Sequence, residues 1–182
     1  EIPEHLKTIR AKYRVSESDG YLRNEQLKGY LTDMVVAQAY AKYNRMKILE
    51  KASEIMNKIF QKDGGNKVVD HVASVHNYID FQDMILRKGA IRSYKGEKMI
   101  IPFNMRDGLA ICEGKSNEDW NCTAPHGCGR SLSRSKAKKD IKLDDFIEEM
   151  KGIYSTSVCK NTLDEAPEAY KPYEEIVKLI EP

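Results

Sequence analysis

The sequence predicts an α+β fold on three observations: a long apolar stretch with helical period near the start, a middle of brief apolar runs broken by turns, and renewed helical signals toward the end. From about Glu25 to Phe60, Leu27, Tyr30, Leu31, Met34, Val35, Ile48, Ala52, Ile55 and Ile59 recur at helical spacing. That spacing predicts one long helix or a broken pair. Gly64-Gly65 supplies the stop, because glycine relieves the left-handed geometry past a helix end. Tyr30, Tyr40 and Tyr43 read as core and rim residues of this segment.

Beyond it the period shortens. Val68-Val69, Met84 to Leu86, Ala90 to Tyr94, Met99 to Ile101 and Leu109 to Ile111 form brief apolar or alternating runs and predict strands. "SYKGEK" places a glycine where a hairpin turn wants one. "CEGKSNEDWNCTAPHGCG", rich in Gly, Asn, Ser and Asp, reads as a long loop, and loops of that length inside domains tend to be functional. Helix returns with "KLDDFIEEMKG", where two aspartates in the first turn suit the helix dipole and Gly152 ends the run. A last helix starts at Pro172 and runs through Tyr173, Ile176, Val177 and Ile180.

With 182 residues, 41% apolar and 32% charged, the chain suits one domain over 1–182. No apolar run approaches the ~20 residues of a membrane-spanning helix, so no membrane partner is expected. The formal charge of +2 hides an asymmetry: Arg87 to Lys139 holds twelve Lys/Arg against five Asp/Glu, and Asp140 to Pro182 holds five against eleven. The middle is either a polyanion site or a solvated face. Four cysteines in a chain this long do not look like a secreted disulfide scaffold, and no leader is evident; a cytoplasmic protein is expected.

The stretch richest in chemistry is "APHGCGRSLSRSKAKK". His126 is flanked by Gly127 and Gly129, so the backbone beside it can approach a ligand closely and turn N–H groups toward a phosphate. A neutral imidazole is a competent nucleophile, and attack on a nucleotide α-phosphate gives a phosphoramidate. The competing interpretation is a histidine hydrogen-bonded within a loop turn. Arg130 and Arg134 are four apart, which on a helix aligns their guanidinium forks toward successive phosphates, and Lys136, Lys138 and Lys139 extend the strip. In "RKGA", Arg87 and Lys88 alternate across a strand, so only one of them faces a site. His71 and His76, five apart, match no two-ligand spacing; a zinc knuckle from Cys122, His126 and Cys128 lacks any Cys-x-x-Cys pair.

Together "GYLTDMVVAQAYAKYNR", "SVHNYID", "LRKGAIR", "IPFNM", "APHGCGRSLSRSKAKK" and "LDEAPEAYKPYEEIV" resemble, in order, the carboxy-terminal half of the RtcB family of GTP- and Mn²⁺-dependent RNA-splicing ligases. The resemblance implies an RtcB-like fold and an enzyme that joins an RNA 3′-phosphate or 2′,3′-cyclic phosphate end to a 5′-hydroxyl end, in tRNA splicing or RNA repair. It implies that His126 attacks GTP to form a covalent guanylate, with Gly127, Cys128 and Gly129 as the nucleotide cradle. Arg130, Arg134 and Lys136 would then hold RNA phosphate. His76 matches a manganese ligand, and two Mn²⁺ are expected in the complete enzyme. Asn77, Lys88 and Arg130 fall in the active site; His76 and Asn77 join Pro102, Phe103, Asn104 and Met105 in binding the nucleotide; Tyr170 stacks on guanine.

Several family features are missing. The other metal ligands, an Asp and a Cys close together and two further histidines, belong to an amino-terminal half that this chain lacks, so the chain alone is expected to be inactive and to need that half as partner. Cys128 stands where the family usually has alanine in "HGAG", and "FNMRDGL" replaces a "GSMGTAS" type stretch, which leaves the base specificity open. The alternative function is a non-catalytic RNA- or nucleotide-binding remnant of the same fold.

Overall fold

A computed structural model of the chain describes residues 11–12, 22–60 and 70–181. The backbone groups into two compact units, Glu1–Val69 and Asp70–Pro182. The architecture is α+β: a long helix, then short antiparallel strands, then short helices.

In the first unit, α1 (Asn24–Phe60) is a single unbroken helix of 37 residues. Its apolar spacing is helical, and yet most of its large apolar side chains lie open: Val36, Tyr40, Tyr43, Ile48 and Ile59 are all exposed, and Tyr30, Leu31 and Met34 are half-buried. Tyr40 and Tyr43 are therefore surface residues rather than core. Lys47–Glu50 and Lys51–Glu54 pair one turn apart along the helix surface. Gly64-Gly65 and Val68-Val69 lie outside the described residues. Among the described residues no helix is long and apolar enough to cross a membrane.

The second unit holds three two-stranded antiparallel sheets. β1 (Asn77–Asp80) pairs with β2 (Ile85–Lys88), β3 (Ala90–Arg92) with β6 (Thr123–Pro125), and β4 (Lys98–Pro102) with β5 (Leu109–Glu113). Gly89, at φ +66°, is the single residue between β2 and β3 and turns the chain from one sheet into the next. "SYKGEK" does turn: Glu97 N–H donates to Tyr94 O at 2.9 Å and Gly96 has φ +84°. It is not a hairpin, however, because β3 and β4 on either side pair elsewhere. The tight β4–β5 connection is "FNMRDG", closed by Phe103 N–H to Gly108 O at 2.8 Å.

The long loop contains a 3-10 turn, Glu118–Trp120, and β6, which delivers the chain to His126. After it come α2 (Arg134–Asp140), capped by the Ser133 hydroxyl, and α3 (Leu143–Glu149), with Asp144 and Asp145 in its first turn. Two 3-10 segments, Lys160–Glu165 and Pro167–Ala169, lead to α4 (Tyr173–Ile180). Ala137, Ile141, Phe146, Met150, Leu163, Ala166 and Ala169 form one apolar cluster; Ile91, Met99, Ile101, Phe103, Cys128 and Ile176 form a second. Tyr170 packs against both.

A buried cation ties the strands to the loop. The Arg87 side chain is fully buried and bonds Asp80 at 3.4 Å, Asp83 at 3.1 Å, the Asn121 carbonyl at 3.1 Å and the Thr123 hydroxyl. Such a charge is tolerated in the interior only when its donors are met, and four partners do so. Strand alternation puts its neighbour Lys88 outside.

Candidate functional site

The end of β4, the turn that follows it and the segment 126–130 meet at an open cleft of about 740 Å³. Pro102, Phe103, Asn104 and Met105 line one side, His126, Gly127, Cys128, Gly129 and Arg130 the next, and Arg134, Glu165 and Tyr170 complete it. That volume is in the range of small-molecule sites, ~300–1,000 Å³. All of the expected nucleotide-binding residues except His76 and Asn77 line it. Lys88 and Lys136, both exposed, do not.

His126 is exposed, and its ring is held by one contact: Nδ1 lies 2.6 Å from the Gly89 carbonyl oxygen. A carbonyl accepts only, so Nδ1 carries the proton and Nε2 keeps its lone pair in the neutral ring. The His76 ring stands beside it at 4.9 Å between centroids, tilted by 33°. Asn77 does not reach the cleft lining; its Oδ1 accepts from the Gly89 N–H at 2.9 Å.

The glycine-flanked segment is anchored to β4. Cys128 N–H donates to Pro102 O at 3.1 Å, and the buried Cys128 thiol donates to Phe103 O at 2.9 Å. Burial pushes that thiol above its ordinary range. The Cys128 N–H is thus committed to the fold and is not a donor for a phosphate. A Cβ on Gly127 would stand 3.1 Å from Pro102 O, a tight contact that needs that carbonyl to give by a few tenths of an ångström.

The two arginines do not share a helix. Arg130 lies in an isolated bridge to Tyr170, ahead of α2, whereas Arg134 opens α2. Both are engaged by acidic partners that the basic strip alone gives no hint of. Arg130 donates to the Asp164 carbonyl, to Leu132 O at 3.1 Å and to Tyr170 OH at 3.1 Å, and stands 3.7 Å from Glu165. Arg134 pairs with Asp164 and Glu165, each at 3.2 Å, and Lys138 with Asp164 at 3.3 Å. The guanidinium of Arg130 lies over the Tyr170 ring, 4.8 Å from its centroid, and the Tyr170 hydroxyl donates to Glu165. Burial, reinforced by the Glu165 carboxylate, drives the Tyr170 phenol up to about 12.

Sequence reasoning missed Gly89, Asp164 and Glu165. For Gly89 the available signal was a lone glycine between two strand-like runs; for the carboxylates it was an acidic pair inside "LDEAPEAY" downstream of an unpaired basic strip. Among the described residues no three His, Cys, Asp or Glu side chains converge to hold a metal ion. His76 therefore does not make up a manganese site with its described neighbours, and Cys122, His126 and Cys128 do not form a zinc knuckle.

The protein family described as tRNA-splicing ligase RtcB matches residues 19–181. The RNA-splicing ligase RtcB of Escherichia coli K12 is 28% identical over 186 residues, covering 97% of this chain and 45% of the relative. The tRNA-splicing ligase RtcB of Aeropyrum pernix is 30% identical over 185 residues, covering 85% and 38%; that of Nanoarchaeum equitans is 28% identical, covering 97% and 44%. The chain thus spans less than half the length of these relatives.

Proposed function

The chain belongs to the RtcB family, and on that basis we propose that it carries the nucleotide-bearing histidine of an RNA ligase. The reaction joins RNA 3′-phosphate or 2′,3′-cyclic phosphate ends to 5′-hydroxyl ends with GTP as co-substrate. The observation that carries this reading is the His126–Gly89 contact at the mouth of the cleft. It leaves Nε2 as the ring atom with an available lone pair.

In the proposed step the Nε2 lone pair attacks the α-phosphorus of GTP. The N–P bond forms as the bond to the β-phosphate oxygen breaks, and pyrophosphate leaves. A 2′,3′-cyclic end is first opened by water to the 3′-phosphate; the guanylate then passes to that 3′-phosphate as the N–P bond breaks and frees the imidazole, and the 5′-hydroxyl displaces GMP, its proton going to solvent. Because Nδ1 already carries a proton, the ring needs no base to make it nucleophilic. Pro102 to Met105 and Tyr170 give the base and ribose an apolar floor, and Lys88 adds positive charge beside Gly89. Arg130 and Arg134 receive RNA phosphate by exchanging Asp164 and Glu165 for it. Manganese needs ligands beyond His76, which this reading assigns to the amino-terminal half of the complete enzyme.

Supplying the complete protein with GTP, Mn²⁺ and two RNA oligonucleotides, one ending in a 3′-phosphate and one beginning with a 5′-hydroxyl, tests the reading. A joined product is expected, and none with a 5′-phosphate acceptor. Joining only of the 5′-phosphorylated acceptor contradicts it.

A further inference from the structure

We propose that Asn77 is a positioning residue: its side-chain oxygen holds the Lys88–Gly89 peptide, the Ala90 N–H bond to His76 O holds the Gly89–Ala90 peptide, and the Gly89 carbonyl so aimed fixes the tautomer and aim of His126. Only the purpose of the arrangement rests on the nucleophile reading above; the relay itself rests on geometry.

Both polar groups of Gly89 are engaged from outside its own strands. The Gly89 N–H donates to Asn77 Oδ1 at 2.9 Å, and the Gly89 oxygen meets His126 Nδ1 at 2.6 Å. The next amide, Ala90 N–H, donates to the His76 carbonyl at 3.3 Å, and Lys88 is the register partner of Asn77. The first residue of β1 and its predecessor thus clamp the crossing between β2 and β3 on both sides of Gly89.

The clamp is needed because Gly89 is the residue with the widest conformational freedom, held here at φ +66°. Rotation about the Gly89 φ or ψ, which the hydrogen bonds on either side hold, swings the Gly89–Ala90 carbonyl off the imidazole. Neutral histidine in water prefers the proton on Nε2, and that tautomer has no lone pair there to attack phosphorus. The Gly89 carbonyl reverses the preference only while its direction is fixed. Orientation of the Asn77 amide follows from the bond itself, since an N–H donor requires the oxygen and not the nitrogen opposite it. Asn77 therefore acts through Gly89 rather than on a phosphate through this oxygen.

Long-range proton–nitrogen NMR on the ¹⁵N-labelled 182-residue chain, recorded where the His126 ring is neutral, reads the tautomer directly. The wild type is expected to show His126 with a protonated Nδ1 and a bare Nε2, and a Gly89 amide protected from exchange. Asn77→Ala is expected to move His126 toward the Nε2–H form and to speed Gly89 amide exchange about tenfold, the loss of one hydrogen bond. Asn77→Asp, which keeps an acceptor oxygen at the same reach, is expected to retain both signatures. A wild-type ring in the Nε2–H form, an unprotected Gly89 amide, or an Asn77→Ala spectrum identical to wild type overturns the proposal; the first two need no variant. An intact relay in a protein whose His126 takes no guanylate would discard the nucleophile reading and leave the relay standing.

Discussion

Gly89 and His126, 37 positions apart, are joined through carbonyl oxygen and Nδ1 at 2.6 Å, and that contact sets which imidazole nitrogen keeps its lone pair. It depends on a left-handed backbone at Gly89. A Cβ there would meet the His126 ring at 3.4 Å, an ordinary contact, so the penalty of a side chain is in the backbone and not in space.

Gly89→Ala is accordingly expected to lower unfolding free energy by about 1–2 kcal/mol in urea titration. Gly89→Asn, whose short polar side chain tolerates φ near +60°, is expected to lose less. Equal stability of Gly89→Ala and wild type would mean that the positive φ is not held.

Phe146 is wholly buried at the centre of the cluster formed by Ala137, Ile141, Met150 and Leu163. Phe146→Ala is expected to cost about 3–5 kcal/mol by chemical denaturation, from lost transfer energy and the cavity left behind. Tyr154→Ala, at a side chain 92% exposed, is expected to stay within about 0.5 kcal/mol. Similar losses at both positions would misplace the core.

What the sequence made legible follows from range. The α1 periodicity, the strand runs and the α3 and α4 starts are local, so Leu31, Met99 and Pro172 announce them. Pairing is not local: β3 takes β6 across thirty residues, so the turn at Gly96 looked like a hairpin between neighbours. The cleft residues were legible as a set through the family resemblance, whereas their restraints were not. Arg130 and Arg134 looked free because Asp164 and Glu165 lie thirty or more positions downstream. The lone glycine between two strand-like runs marks a turn at Gly89, but the partners of its N–H and carbonyl, Asn77 and His126, lie 12 and 37 positions away and no local pattern names them.

Asp164 gives a pH signature. Burial pushes its carboxyl up, but the bond from Lys138 and the charges of Lys138 and Arg134 outweigh that and leave it below its ordinary 3.8. A folded value below the unfolded one contributes stability that is present above the unfolded value and lost as pH falls through the folded one. Thermal melts are therefore expected to separate wild type from Asp164→Asn at neutral pH and to converge as pH falls below 3.8 through the lower value of the folded carboxyl. A gap that persists unchanged in acid would remove Asp164 ionisation from the account.

Glu165 competes with any phosphate for Arg130 and Arg134, and it also takes the Tyr170 hydroxyl proton bond. Glu165→Gln is expected to tighten binding of a short RNA several-fold and to lower the Tyr170 phenol from about 12 in ultraviolet titration. Arg134→Ala is expected to weaken RNA binding evenly across sequences and to flatten the salt slope by about one. Unchanged RNA affinity in both variants would leave the strip as solvated surface.

The most direct measurement is of covalent guanylate on His126. Incubated with GTP and Mn²⁺, the complete protein is expected to gain one guanylate that is stable in alkali, released by acid as a nitrogen–phosphorus bond is, and absent from His126→Ala. Guanylate retained by His126→Ala, or a wild type that binds GTP yet never becomes labelled, would contradict the account, and the second outcome would favour a nucleotide-binding remnant of the fold.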